Sequence, residues 1–213
     1  MPELPCVIYG ASGHAKVIAD IILAGPTKLL AFIDDNPALD GSIAFDVTIR
    51  SFSWLVDRHA SSPVTVVLGI GDNYARRAVA DRCKEAGMTL QTVIHPSAII
   101  SRFATVSAGV TILAQAVVNT NANVGQGALV NTGAIVEHDV CVGDFAHVSP
   151  RAVLAGGSRL GELSHLGAGA VVIDDVVVGA GTIIGAGAVV TRHVGDHVVA
   201  YGVPARAKRS VAR

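Results

Sequence analysis

From Ile94 onward an aliphatic residue returns at every sixth position: Ile94, Ile100, Val106, Ile112, Val118, Val124, Val130, Val136, Val142, Val148, Leu154, Leu160, Leu166, Val172, Val178, Ile184 and Val190. If roughly a third of positions were Ile, Leu or Val, this unbroken run would arise by chance about once in 10⁸ trials. Four residues after each aliphatic, from Ala98 to Ala188, stands Ala, Val, Ser or Thr. One branched and one small position per six fits neither a 3.6-residue helix nor a flat two-residue strand. It fits a triangular prism whose faces are short strands. The branched residue fills the interior and the small residue the space near each corner. Three hexapeptides make one coil of about eighteen residues, and coils stack at the ~4.8 Å spacing of neighbouring strands.

The first half reads differently. Cys6-Val7-Ile8-Tyr9 predicts a strand, Gly10-Ala11-Ser12-Gly13-His14 a turn, and Val17, Ile18, Ile21 and Ile22 the apolar stripe of a helix. A second strand, Leu29 to Ile33, ends in Asp34-Asp35. A third, Val64 to Leu68, ends in Gly69-Ile70-Gly71 and leads to a helix over about Asp72–Ala86. Alternating strands and helices predict a small α/β domain with a parallel, Rossmann-like sheet over residues 1–93, followed by a parallel β-helix over residues 94–213. A ligand of the first domain belongs outside the carboxyl ends of its strands.

Composition narrows the class. The chain has 213 residues, 51% of them hydrophobic but only 4% aromatic and 15% charged, which excludes a disordered chain. A formal charge of −1 supplies no global field for nucleic acid or anionic lipid. Cys6, Cys83 and Cys141 are odd in number and far apart, which argues for a reducing compartment. Mean hydropathy is +0.52, and no charge occurs from Phe103 to Val136, so a membrane span has to be considered. The amides at Gln115, Asn119, Asn121, Asn123, Gln126 and Asn131 make that stretch unfit for lipid. Met-Pro-Glu-Leu-Pro has no basic or apolar run typical of a secretory signal. The expectation is a cytoplasmic protein with no membrane or nucleic-acid partner.

Chemistry should lie on residues that break the repeat and point outward. Glu137-His138-Asp139 is the first titratable cluster after the uncharged stretch, and a neighbouring carboxylate can orient an imidazole and raise its basicity. His147 and His165, eighteen apart, should stack one coil above the other, with His138 half a coil away from His147. One chain does not converge these three on a metal, so no metal is expected. A zinc hydratase completed by a neighbouring subunit is the metal-dependent alternative. Cys141 is a rival nucleophile, but its place beside Val142, with no cation nearby in sequence, reads as packing. In the first domain, Gly10 and Gly13 lack the third glycine of a dinucleotide fingerprint. The Ser12 and Gly13 N–H groups at a helix start still suit a phosphate, while Asp34 and Asp35 suit ribose or base donors or else form a solvated turn. Arg192, Arg206, Lys208, Arg209 and Arg213 make a basic tail that either meets phosphates or merely caps the solenoid.

Taken together, Gly10-Ala11-Ser12-Gly13-His14, Asp34-Asp35, Glu137-His138-Asp139, His147 and the closing Tyr201-Gly202-Val203-Pro204-Ala205-Arg206 resemble the sialic acid O-acetyltransferase family of hexapeptide-repeat acyltransferases. Within it the chain is most similar to the nucleotide-aminosugar N-acetyltransferases of perosamine and bacillosamine type, which serve polysaccharide biosynthesis. The resemblance covers essentially the whole chain. It implies a left-handed β-helix, a hand opposite to that of ordinary strand crossovers. It also implies a homotrimer with active sites at subunit interfaces, acetyl-CoA as co-substrate and a nucleotide-sugar held by the first domain. By matching position, His138 becomes the base and Asp139 its support. His147, Gly156, Ala168 and Ala186 line the CoA site, and Ser12, Gly13, His14, Asp34 and Asp35 the nucleotide-sugar site.

Acetyl transfer to an amine needs a base for the amine proton and donors for the oxyanion. His138 supplies the first, and the Gly156 N–H is the best candidate for the second. No loop interrupts the repeat between Ile94 and Val190, so acceptor contacts fall to the small domain and the solenoid surface. That fits a nucleotide-sugar better than a free small-molecule acceptor, and the resemblance implies a nucleotide-linked 4-amino-4,6-dideoxyhexose. Guanine offers two adjacent donors to a carboxylate and uracil one, which favours GDP-perosamine over a UDP-sugar. Sugar or sialic acid O-acetylation and a non-enzymatic nucleotide-sugar-binding scaffold are the other readings.

Overall fold

The computed structural model describes residues 4–211, so Arg213 of the basic tail lies outside the described residues. The chain divides between Val93 and Ile94 into two compact units.

The first unit is a six-stranded sheet covered by helices. Its elements are β1 (Cys6–Tyr9), α1 (Gly13–Leu23), β2 (Leu29–Ile33), β3 (Ile43–Ala44), β4 (Val47–Arg50), α2 (Phe52–Ser61), β5 (Thr65–Leu68), α3 (Asn73–Glu85) and β6 (Thr89–Leu90), with a single 3-10 turn at Pro37–Leu39. The strand order is β3-β4-β2-β1-β5-β6, parallel except for the β3–β4 hairpin. β1 is central and buried along its whole length, as its unbroken apolar run requires. The helices start where the chemistry allows. Asp72 caps α3 by accepting from the Tyr74 and Ala75 N–H groups at 3.0 and 2.9 Å, and the Ser51 hydroxyl caps α2. Ser12 caps α1 by position only, with no hydrogen bond from its side chain to the helix.

The second unit is a left-handed parallel β-helix. Two-residue strands recur every six residues from Val93–Ile94 to Val189–Val190, those up to Val171–Val172 pairing in parallel with the strand eighteen residues on, and they form three sheets. From Ile112 to Val190 every repeat aliphatic is buried, and the small residues from Ala116 to Ala188 are buried with them. Left-handed backbone turns the chain at the corners, and at one of them it recurs every eighteen residues at Asn121, Asp139, Gly157 and Asp175. Outward on one sheet runs the ladder Ile99, Val117, Ile135, Val153, Val171 and Val189, all β-branched and each at least partly exposed. The basic tail is structured. Val198–Tyr201 adds to the sheet beside Ile183–Ile184, and Arg206–Ser210 pairs antiparallel with it as an exposed edge strand. Among the described residues no helix is long and apolar enough to cross a membrane.

Candidate functional site

Two sites emerge, one in each unit. In the second, His138 and Asp139 occupy a corner between two faces. Asp139 sits at φ 61°, which turns its carboxylate back onto the preceding residue, so the His138 Nδ1–H donates to Asp139 Oδ2 at 2.9 Å. The Asn121 amide, one coil earlier, donates to Asp139 Oδ1 at 3.2 Å, and the Asp139 N–H donates to the Thr120 carbonyl at 3.1 Å. The carboxylate is therefore held on both oxygens, and Nε2 is left as the basic lone pair. The hydrogen bond to Asp139 raises the His138 pKa above its ordinary 6.5, opposed by desolvation, with the charges of Asp139, Glu137 and Asp174 adding to the rise. Asp139 is lowered in turn by its bonds to His138 and Asn121.

One coil later, at the same corner, lies Gly156, whose N–H donates to no acceptor among the described residues. His147 stands on a different sheet, inside the register Leu129–His147–His165–Ile183. Its ring stacks on that of His165 with centroids 4.6 Å apart. The Asn131 amide donates to His147 Nε2 at 3.1 Å, and Ser149 Oγ lies 2.8 Å from His165 Nε2. Ala168 and Ala186 share the corner that follows this sheet, stacked eighteen residues apart, with the Gly187 N–H donating to the Ala168 carbonyl at 2.8 Å. His138 and Gly156 thus form one cluster, and His147, Ala168 and Ala186 another part of the same solenoid. No group of three or more His, Cys, Asp or Glu residues among the described residues could hold a metal.

Cys141 corrects the sequence reading. It is partly exposed rather than packed, because residues next to each other in a strand point to opposite faces and Val142 takes the inward place. It lines a groove of about 580 Å³ and pairs in register with Arg159 of the next coil, a cation that its local sequence did not reveal.

In the first unit a cavity of about 320 Å³ lies at the carboxyl ends of β1, β2 and β5, lined by Tyr9, Gly10, Ala11, Ser12, Asp34, Asp35, Ile70, Gly71 and Asp72. A close backbone crossing shapes it. A Cβ on Gly10 would meet the Gly69 carbonyl oxygen at 2.8 Å, and Gly10 has a φ of 107°. The two acids have different partners. Asp34 accepts from the Ala11 N–H at 3.1 Å and the Asn36 N–H at 3.0 Å, which ties the β2 end to the glycine turn. Asp35 accepts from the Tyr9 hydroxyl at 2.9 Å and from Arg82 at 2.9 Å, and its side chain stays more than half exposed. Arg82 also donates to the Tyr9 hydroxyl and lies 3.6 Å over the Phe52 ring. Burial and the bond to Asp35 raise the Tyr9 pKa, so the phenol stays a donor.

His14 follows Ser12 and Gly13 at the start of α1. Its Nε2 is buried without a hydrogen-bond partner, and burial, with Arg76 nearby, lowers its pKa to about 4. Tyr9, Phe52, Arg76, Arg82 and Asn121 were not singled out from sequence. Only Asn121 left a usable signal, its eighteen-residue spacing from Asp139.

Residues 6–83 match the family described as PglD N-terminal domain, and residues 157–192 match the bacterial transferase hexapeptide family. Among solved structures, a histidine-to-asparagine mutant of perosamine N-acetyltransferase from Caulobacter crescentus, in complex with CoA and GDP-perosamine, superposes with a TM-score of 0.91. It is 35% identical over 97% of both chains. The acetyltransferase domain of PglB from Neisseria gonorrhoeae, in complex with acetyl coenzyme A, gives a TM-score of 0.89 at 32% identity over 96% of this chain and 98% of that one. The UDP-N-acetylbacillosamine N-acetyltransferase of Bacillus subtilis is 37% identical over 110 residues, about half the length of each chain.

Proposed function

The chain belongs to the hexapeptide-repeat, acetyl-CoA-dependent nucleotide-aminosugar N-acetyltransferases, and from that premise we propose that it acetylates the 4-amino group of a nucleotide-linked 4-amino-4,6-dideoxyhexose, with His138 as general base. The observation that carries the base assignment is the His138–Asp139–Asn121 chain, which orients the ring through Nδ1 and leaves Nε2 for the substrate proton. The neutral amine attacks the thioester carbonyl, its proton passes to His138 Nε2, and the C–S bond breaks to release CoA thiolate. The free Gly156 N–H is suited to the oxyanion. Acetyl-CoA lies along His147, Ala168 and Ala186, and the nucleotide-sugar occupies the 320 Å³ cavity, with its diphosphate at Ser12, Gly13 and His14. The outward β-branched ladder supports assembly with further copies as a homotrimer whose active sites lie at subunit interfaces. A cytoplasmic location accords with a CoA thioester as donor. Thiol release from acetyl-CoA with a panel of nucleotide-aminosugars tests the reaction: release on 4-aminosugars supports it, and release only on sugar hydroxyls overturns it.

GDP-perosamine is the proposed acceptor. Both Asp34 oxygens serve backbone N–H groups, so the base contact falls to Asp35, whose carboxylate is anchored by Tyr9 and Arg82 yet still open. A carboxylate matches the adjacent N1–H and N2–H donors of guanine, and such charge-assisted pairs are roughly twice as strong as neutral ones. Calorimetry should show GDP binding more tightly than UDP, with Asp35→Ala abolishing the difference. Tighter UDP binding overturns the guanine assignment and leaves the acetyltransferase reading intact.

The pH profile follows from the direction of the His138 shift. A base must be unprotonated, so kcat/KM should rise with pH through a midpoint above 6.5 and then level off. Asp139→Asn removes the main cause of the raised pKa. It should move that limb to lower pH while lowering the plateau by less than the His138→Ala change, because the ring remains but loses its orientation. A limb that stays in place would separate the titration from His138.

A further inference from the structure

We infer that Gly156 is the positioning residue for His138: it lacks a side chain because the catalytic imidazole occupies the space a Cβ would fill. The inference rests on His138 being the base. A Cβ on Gly156 would lie 2.6 Å from His138 Cε1, 2.7 Å from Nε2 and 3.3 Å from Nδ1, and these are its three nearest atoms. Carbon contacts are favourable at about 3.5–4.0 Å, so the ring lies well inside the reach of any side chain there. Backbone conformation does not require the glycine. Gly157 has a φ of 67°, in the left-handed region, whereas Gly156 lies outside it and its backbone accepts alanine. Gly156 therefore answers to the ring and not to the turn.

The opposite side of the ring is fixed as well. Nδ1 donates to Asp139 at 2.9 Å, and Asp139 is held by Asn121 and by the Thr120 carbonyl. The imidazole is thus confined between a carboxylate in its own coil and a bare Cα in the next. A methyl group at position 156 forces it to rotate away, breaking the Asp139 bond or moving Nε2 from its place. Displacement of a reacting group by about 1 Å costs on the order of 10²-fold in rate.

The test is a cycle of Gly156→Ala, His138→Ala and the double variant in the full chain. Gly156→Ala should lower kcat by about 10- to 100-fold, leave the KM values near wild type, and lower no further the residual rate of His138→Ala. The His138 Cε1–H resonance should titrate at lower pH in Gly156→Ala, since Asp139, Glu137 and Asp174 face the ring and the Asp139 bond is lost. Should Gly156→Ala fail to fold, a normally folded double variant supports the inference, because removing the ring removes the clash; failure of both overturns it. Wild-type kcat with an unmoved titration overturns it, as does an equal further loss in the His138→Ala background, which would show that the methyl group acts on the site without acting through the imidazole. If His138→Ala alone keeps wild-type turnover, the base assignment fails and this inference with it. If His138→Ala is inactive while Gly156→Ala is normal, the base stands and only the positioning role falls.

Discussion

His138→Ala is expected to lower kcat by about 10²–10⁴-fold, the usual size of a lost general base, with the KM for acetyl-CoA little changed. The His138 side chain is 58% exposed and lies outside the solenoid core, so its removal leaves no cavity and melting should match wild type. Among the described residues its ring is engaged only through Nδ1, and Nε2 is the atom proposed to take the amine proton. Without it, proton removal falls to water, and the scaffold still binds both substrates. A base raised above its ordinary 6.5 also holds the abstracted proton more firmly, which favours its transfer from the amine. Steady-state kinetics with melting as a control decides the matter. Turnover near wild type would falsify the base assignment and point to an amine that loses its proton before it binds.

Most of the second unit was legible because its period is its structure. Each aliphatic from Ile112 to Val190 is the inward residue of a two-residue strand, and an eighteen-residue step moves one coil up. That arithmetic placed His165 over His147, and it could have placed Asn121 under Asp139 and Arg159 over Cys141. Cys141 is set apart from a packed residue by that step, which brings Arg159 over it, and not by its neighbours in sequence. The basic tail was illegible for the opposite reason. All five residues of Arg206–Ser210 are exposed, so no alternation of apolar and polar positions marks the strand.

In the first unit β1, β2, β5, α1 and α3 followed from apolar runs and glycine turns. By contrast β4 and α2 did not: α2 is short, buries only Leu55, and its apolar stripe is limited to Phe52, Leu55 and Val56. The strand order then decides what the site contains. The order β4-β2-β1-β5 brings Arg82 of α3 to Asp35, 47 residues away, with Phe52 of α2 beneath the guanidinium. Contacts of that separation depend on tertiary packing and leave no local pattern. Charge alone suggested that Asp34 and Asp35 were equivalent; their partners make Asp34 a brace and Asp35 the exposed acid.

Arg76→Met should destabilise the first unit by about 3 kcal/mol and raise the KM for the nucleotide-sugar. Arg76 is 2% exposed, in the first turn of α3, and its guanidinium donates to the Ile70 carbonyl at 3.1 Å, the Gly71 carbonyl at 3.0 Å and Asn73 Oδ1 at 3.0 Å. Burial lowers its pKa to about 10, so it remains a cation at neutral pH. Hydrogen bonds to a charged donor contribute roughly 1.5–3 kcal/mol each. Methionine restores the volume but leaves buried acceptors without that donor. The two carbonyls belong to the turn after β5, and Ile70 and Gly71 line the proposed nucleotide cavity. Releasing the turn should therefore loosen one wall of that cavity while leaving the solenoid intact. Trp54 is the single tryptophan and lies in α2, so its fluorescence in urea reports the first unit alone. The expected result is a lower urea midpoint at Trp54, a raised nucleotide-sugar KM and an unchanged KM for acetyl-CoA. Arg76→Lys should fall between, since it keeps the charge but not the planar fork that reaches two carbonyls at once. An unchanged midpoint in Arg76→Met would show that the turn is held by its glycine crossing and not by the buried guanidinium.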